Sequence, residues 1–117
     1  MAYIVFDMEW NQPMCAAQPM KNKNGVKLSG EIMQIGAIKL DKRGDIIGDF
    51  SLCVKPHFYK RLNKRVRELT GITKEELHAA DEFPEVFAQF AAFCGKFCEA
   101  FFLSANHLLR EVDFFPT

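Results

Sequence analysis

Two strand-like segments joined by five turn-forming residues constrain this 117-residue chain more than any other feature. Ile32 to Leu40, preceded by Glu31, reads as a mostly buried strand, and in Ile46 to Val54 the residues Phe50, Leu52 and Val54 alternate with Ser51, Cys53 and Lys55. Between them Asp41-Lys42-Arg43-Gly44-Asp45 has the composition of a hairpin turn. A connection this short joins antiparallel neighbours, because a parallel partner needs a crossover of a dozen or more residues. The apolar run Tyr3-Ile4-Val5-Phe6 adds an earlier strand, so the expected start of the fold is an antiparallel three-strand meander.

After Pro56 the period changes to helical. Leu62, Val66 and Leu69 are spaced four and three apart, with Gly71 placed as a C-terminal stop. Thr73 followed by Glu76 fits a capping box that opens a second short helix. Pro84 suits the first turn of a third, in which Val86, Phe87, Phe90, Ala91, Cys94 and Phe97 recur as a core-facing stripe. A fourth strand is expected over Ala100 to Ser104, which makes the fold class α/β. Residues 11 to 30, with two prolines, Gly25 and little periodicity, read as a long surface loop.

Composition narrows the function. Fifteen basic residues balance fifteen acidic ones, so the excess positive charge of a duplex-coating protein is absent and any nucleic-acid contact must be local. No stretch approaches the ~18 apolar residues of a membrane span, no charged-then-apolar leader precedes the first strand, and a cytoplasmic location is the expectation. Cys15, Cys53, Cys94 and Cys98 include no Cys-x-x-Cys pair and have no histidine at zinc spacing, and are read as reduced thiols of the core.

Asp7 and Glu9 end the first strand two residues apart, and a strand repeats its facing every second residue. Both carboxylates therefore project from one face. Two adjacent acids repel, whereas a hard divalent cation such as Mg2+ requires oxygen ligands of this kind. The alternative is a strand end running into solvent, where acids cost nothing.

Three further pieces follow in order: Glu31 to Leu40, Ile46 to Pro56, and Leu69-Thr70-Gly71-Ile72-Thr73 with Glu75, Glu76 and Leu77. Together with Asp7-Met8-Glu9-Trp10-Asn11-Gln12 they resemble the DEDDh 3'-to-5' exonucleases of ribonuclease H-like fold. The opening hexapeptide is most similar to the branch holding RNA-trimming enzymes of the histone-messenger type and the bacterial sporulation-inhibitor type. The resemblance covers roughly residues 3 to 104.

What it implies is a site of four carboxylates around two Mg2+ or Mn2+ ions ~3.5 to 4 Å apart, with a histidine as general base. Asp7 and Glu9 match the first two catalytic ligands, and Asp113 is the acid nearest the expected third. Met8, Trp10, Leu69, Thr70, Gly71 and Ile72 match positions around the terminal nucleotide. The family's fourth aspartate and its histidine lie further downstream than Thr117, and His107 does not take their place. The expectation is one exonuclease-like domain over residues 1–117, incomplete at its C-terminus, with an exposed sheet edge and apolar patches around Phe101, Phe102, Phe114 and Phe115 open to self-association.

The implied activity is release of nucleoside 5'-monophosphates from the 3' end of single-stranded RNA or DNA, impaired in this chain. The alternative is an inert nucleic-acid-binding or protein-interaction fragment. Lys60, Arg61, Lys64, Arg65 and Arg67 form a basic cluster that either holds backbone phosphates or is a solvated helix face.

Overall fold

The structure, a computed structural model, describes residues 2–13, 20–21, 24–25, 27–28, 30–95, 98–103 and 109–112, with 20–21, 27–28, 98–103 and 109–112 described as backbone. The elements in chain order are β1 (Ala2–Asn11), β2 (Met20–Lys21), β3 (Lys27–Leu28), β4 (Glu31–Leu40), β5 (Ile46–Cys53), α1 (Lys64–Thr70), α2 (Lys74–His78), α3 (Phe83–Cys94), β6 (Cys98–Leu103) and β7 (Leu109–Val112). The mixed α/β architecture is the expected one. β1, β4 and β5 form the antiparallel meander, and β6 lies parallel to β1 on its other side, giving a sheet ordered β5-β4-β1-β6-β7.

Two expectations are corrected by this topology. The segment expected as an irregular loop carries the short antiparallel hairpin β2–β3, and β1 itself extends through Asn11. The edge of β6, expected bare, pairs with β7 through Ala100↔Val112 to Leu103↔Leu109. The outer strands of this sheet are β5 and β7.

The two sheet faces are covered differently. On one, Ile4, Phe6, Ile35 and Ala37 pack against Val86, Phe90 and Cys94 of α3, with Met8, Ile32, Phe50, Leu52 and Phe93 around them. Phe90 is completely buried and its ring sits 5.3 Å from that of Phe6 and 5.6 Å from that of Phe50. Such tilted aromatic contacts add to the burial of each ring. The stripe on α3 is core at Val86, Phe90 and Cys94, whereas Phe87 is exposed and Phe97 lies outside the described residues.

A second cluster joins Met33, Val66, Ile72 and Leu77, with Leu62 and Cys53 against it. Met33 reaches it because the β1–β4 pairing passes from Glu9↔Gln34 to Trp10↔Ile32 and leaves Met33 as the extra residue of a bulge. α1 begins later than its apolar period suggests, since Asn63 caps it by accepting from the N–H groups of Arg65 and Val66. Leu69, expected on the buried stripe, is 75% exposed, and α1 contributes Val66 to this cluster instead. α2 opens with the predicted capping box: Thr73 Oγ1 accepts from the Glu76 N–H at 3.1 Å and the Glu76 carboxylate accepts from the Thr73 N–H at 3.4 Å. Cys94 is buried and Cys53 half-buried.

Candidate active site

β1 sets the site. Ile4, Phe6 and Met8 point toward α3, so Asp7 and Glu9 lie on the opposite face of the same strand. Asp7 pairs with Gly36 of β4 and Glu9 with Gln34. Directly opposed residues of an antiparallel pair share a face, and a Cβ built on Gly36 would meet nothing within 4 Å. The sheet thus leaves open space beside the Asp7 carboxylate.

The Met8 N–H donates to Asp7 Oδ1 at 2.9 Å, which orients the carboxylate through its own backbone and leaves Oδ2 for another partner. Burial, and after it the negative charge of Asp7, push the Glu9 carboxyl above its ordinary value. A cation between the two acids would remove the repulsive part of that cost. The donor set fits a hard divalent ion, since Mg2+ is held by one or two carboxylates together with water and phosphate oxygens. Among the described residues no third acid, cysteine or histidine joins Asp7 and Glu9, and Asp113 lies outside them.

The other sequence-derived site residues are distributed. Met8 packs into the core beneath α3, so its side chain faces away from the acids. Trp10, 45% exposed, lines an apolar groove of about 430 Å³ with Ile32, Val54, Phe58, Phe83 and Pro84; neither acid lines it. Thr70 Oγ1 donates to the Val66 carbonyl at 2.8 Å and accepts from the Ile72 N–H at 3.2 Å. Gly71 takes the left-handed φ of 74° that ends α1, and Ile72 is buried against Met33. Leu69 through Ile72 therefore closes the helix, with Leu69 as its solvent-facing apolar side chain.

Sequence reasoning missed the residues that tie this region together. Asn11 is buried, donates from Nδ2 to the carbonyls of Tyr59 and Arg61 at 3.1 and 3.0 Å, and accepts at Oδ1 from the Asn63 N–H at 2.9 Å. Glu31, its cross-strand partner, accepts from the N–H groups of His57, Phe58 and Tyr59, each at 2.9 Å at its shortest. Asn63 is a residue type favoured at helix starts, but it sits inside the apolar period that begins at Leu62, which hid its capping role. Glu31 carried no signal, since its partners lie 26 to 28 residues away.

Residues 4–106 match the protein family described as Exonuclease, RNase_T. The chain belongs to this exonuclease family. It is 31% identical over 113 residues to a DNA polymerase III PolC-type of Lactococcus lactis subsp. lactis, a match covering 96% of the chain and 6% of that protein. A second PolC-type protein, from Thermotoga petrophila, is 35% identical over 63 residues, 54% of the chain and 4% of its own length. The chain spans a small fraction of both relatives.

Among solved structures, cell-death related nuclease 4 superposes with a TM-score of 0.68 at 23% identity over 91% of the chain and 36% of that one. The nuclease domain of 3'hExo, a DEDDh family member solved with rAMP, gives a TM-score of 0.63 at 17% identity, covering 90% and 54%. At these identities the likeness establishes the ribonuclease H-like fold. DEDDh exonucleases generally use divalent metal ions, in keeping with the oxygen donors of Asp7 and Glu9. No helix among the described residues is long and apolar enough to cross a membrane.

Proposed function

We propose that Asp7 and Glu9 are the first two ligands of the divalent-metal site of a 3'-to-5' exonuclease that releases nucleoside 5'-monophosphates from a single-stranded end. One observation carries the reading: two carboxylates share a face at the carboxyl end of β1, beside space that Gly36 leaves open. That end is also where β1 and its parallel neighbour β6 finish, the place where ligands gather in α/β sheets. Mg2+ or Mn2+ held there would supply charge neutralisation for a phosphodiester and a water of lowered pKa.

The chain's own residues do the positioning. The Met8 N–H fixes the Asp7 carboxylate, and the core contact of the Met8 side chain holds the strand that presents it. Trp10 and Leu69 offer exposed apolar surface on which a terminal base can rest, while Thr70, Gly71 and Ile72 hold Leu69 at its place. Asp113 is assigned as the third ligand. The hexapeptide from Asp7 to Gln12 supports placement in the RNA-trimming and sporulation-inhibitor branch, and a cytoplasmic site of action belongs to the same reading.

The test is incubation with 3'-unblocked single-stranded RNA and DNA and Mn2+, with Asp7→Ala in parallel. Mononucleotide release should fall in the variant by more than about 100-fold, the upper scale of loss when a group that only supports a metal ligand is removed. Equal release by both chains would defeat the assignment of Asp7. A second reading is strand binding without hydrolysis. Oligonucleotide binding with no release from folded wild-type chain would favour it.

A further inference from the structure

A positively charged surface begins where the carboxylate strand ends. Gln12, three residues beyond Glu9, lines a groove of about 610 Å³ with Asn63, Lys64, Arg65 and Glu68. Lys64 also lines a second groove of about 410 Å³ with Arg61, Arg67, Lys74 and Glu75. The shared Lys64 makes the two concavities neighbours. Five cations and two acids line them. The ion pairs recorded among the described residues join Arg43 to Asp41 and Asp45, so none of the five cations is neutralised by a described acid.

This charge is held in place rather than carried on a loose loop. Asn11 binds the backbone of Tyr59, Arg61 and Asn63, Asn63 Nδ2 donates to the Pro13 carbonyl at 3.0 Å, and the Asn63 carboxamide oxygen caps the helix bearing Lys64, Arg65 and Arg67. At ~3.3 Å per strand residue, Gln12 lies roughly 10 Å along the chain from Glu9. The net charge of the whole chain is zero, so the concentration of cations on this face is local.

We propose that Arg61, Lys64, Arg65, Arg67 and Lys74 form a track for the phosphate backbone of a single-stranded polynucleotide, upstream of the end presented to Asp7 and Glu9. The inference rests on the exonuclease reading for its direction, and on charge and shape for the track. Polyphosphate backbone is the occupant whose repeated negative charge matches a row of cations on a concave surface. Binding is then sequence-tolerant, strongly salt-dependent, and weak for strands too short to reach α1.

The experiment measures fluorescence anisotropy of labelled oligouridylate and oligothymidylate of about 16 nucleotides, the upper end of single-strand site sizes, with EDTA present so that nothing is cleaved. Affinity is followed against salt for wild type, Lys64→Ala/Arg65→Ala/Arg67→Ala, Arg61→Gln, and Lys42→Ala/Arg43→Ala in the β4–β5 turn. Each lost phosphate contact lowers the slope of log K against log salt by about 0.7 for a single strand. The triple variant should lose about two units of slope and about a hundredfold in affinity at ~0.1 M salt. Arg61→Gln should lose about 0.7 of slope, and the turn variant nothing.

Wild-type slope retained in both α1 and Arg61 variants, or an equal loss in the turn variant, overturns the track. Arg61→Gln alters no helix residue and decides the matter should the triple variant unfold. If wild type binds with the expected slope but releases no mononucleotide when Mn2+ replaces EDTA, the track stands and the nuclease reading fails. Release without slope loss in the variants is the reverse outcome.

Discussion

The two faces of the sheet are built from the same three strands yet solve opposite problems. Beneath α3, alternate residues of β1, β4 and β5 are apolar and packed against one another, with tilted ring contacts between Phe6, Phe50 and Phe90. On the other face the same strands present Asp7 and Glu9, Gly36 with nothing within 4 Å of its missing Cβ, and Gln34 bonded to Ser51 at 3.5 Å. One face gains stability from burial. The other holds two repelling carboxylates beside open space, an arrangement that lowers stability and makes sense where a cation and a phosphate are to be bound.

The contrast breaks most sharply at Phe90. Phe90→Ala removes a fully buried ring in contact with Phe6 and Phe50 and should cost about 3–5 kcal/mol, read as a lower urea midpoint. Asn11→Ala comes next, at about 1–3 kcal/mol, because it strands the buried Tyr59 carbonyl and the part-buried Arg61 carbonyl and Asn63 N–H at the junction of β1 with the 59–63 segment. Gly36→Leu acts on the opposite face: stability should move by less than about 1 kcal/mol, while Mn2+ affinity in titration falls by about tenfold or more as the side chain fills the space beside Asp7.

The smallest effect is electrostatic. Glu9 has a raised folded-state value, so the stability linked to its protonation is complete below the unfolded carboxyl value and is lost as pH rises through the folded one. At neutral pH the charged Glu9 thus costs stability, chiefly through burial and secondarily through Asp7. Asp7→Asn should raise neutral-pH stability by a few tenths of a kcal/mol, a gain that disappears below about pH 4 in urea melts at each pH. A loss of stability at neutral pH would mean that Asp7 does more in the apo fold than repel its neighbour.

Much of the fold was legible because its signals are local. An apolar run marked β4 and alternation β5, the Asp41–Asp45 turn fixed their pairing, and Thr73 with Glu76 announced the start of α2. Asp7 and Glu9 were legible for the same reason, since a period of two places them together without reference to anything else. Leu69 misled, because a helical period cannot say which of its apolar members finds a partner. The irregular reading of residues 11 to 30 missed β2–β3, two residues on each side being too short to leave a periodic trace.

By itself the sequence determined the three-strand meander, the helices after it, and a pair of carboxylates on one strand face, all consequences of periods of two and 3.6 and of turn and cap chemistry. Only the tertiary structure decided what surrounds that pair. The Met33 bulge that links β4 to α1 and α2 and the Asn11 and Glu31 bonds that hold the 57–63 segment at the end of β1 depend on partners far apart in the chain. Hydrogen bonds and packing across such distances leave no local pattern in sequence. They are settled when strands and helices meet.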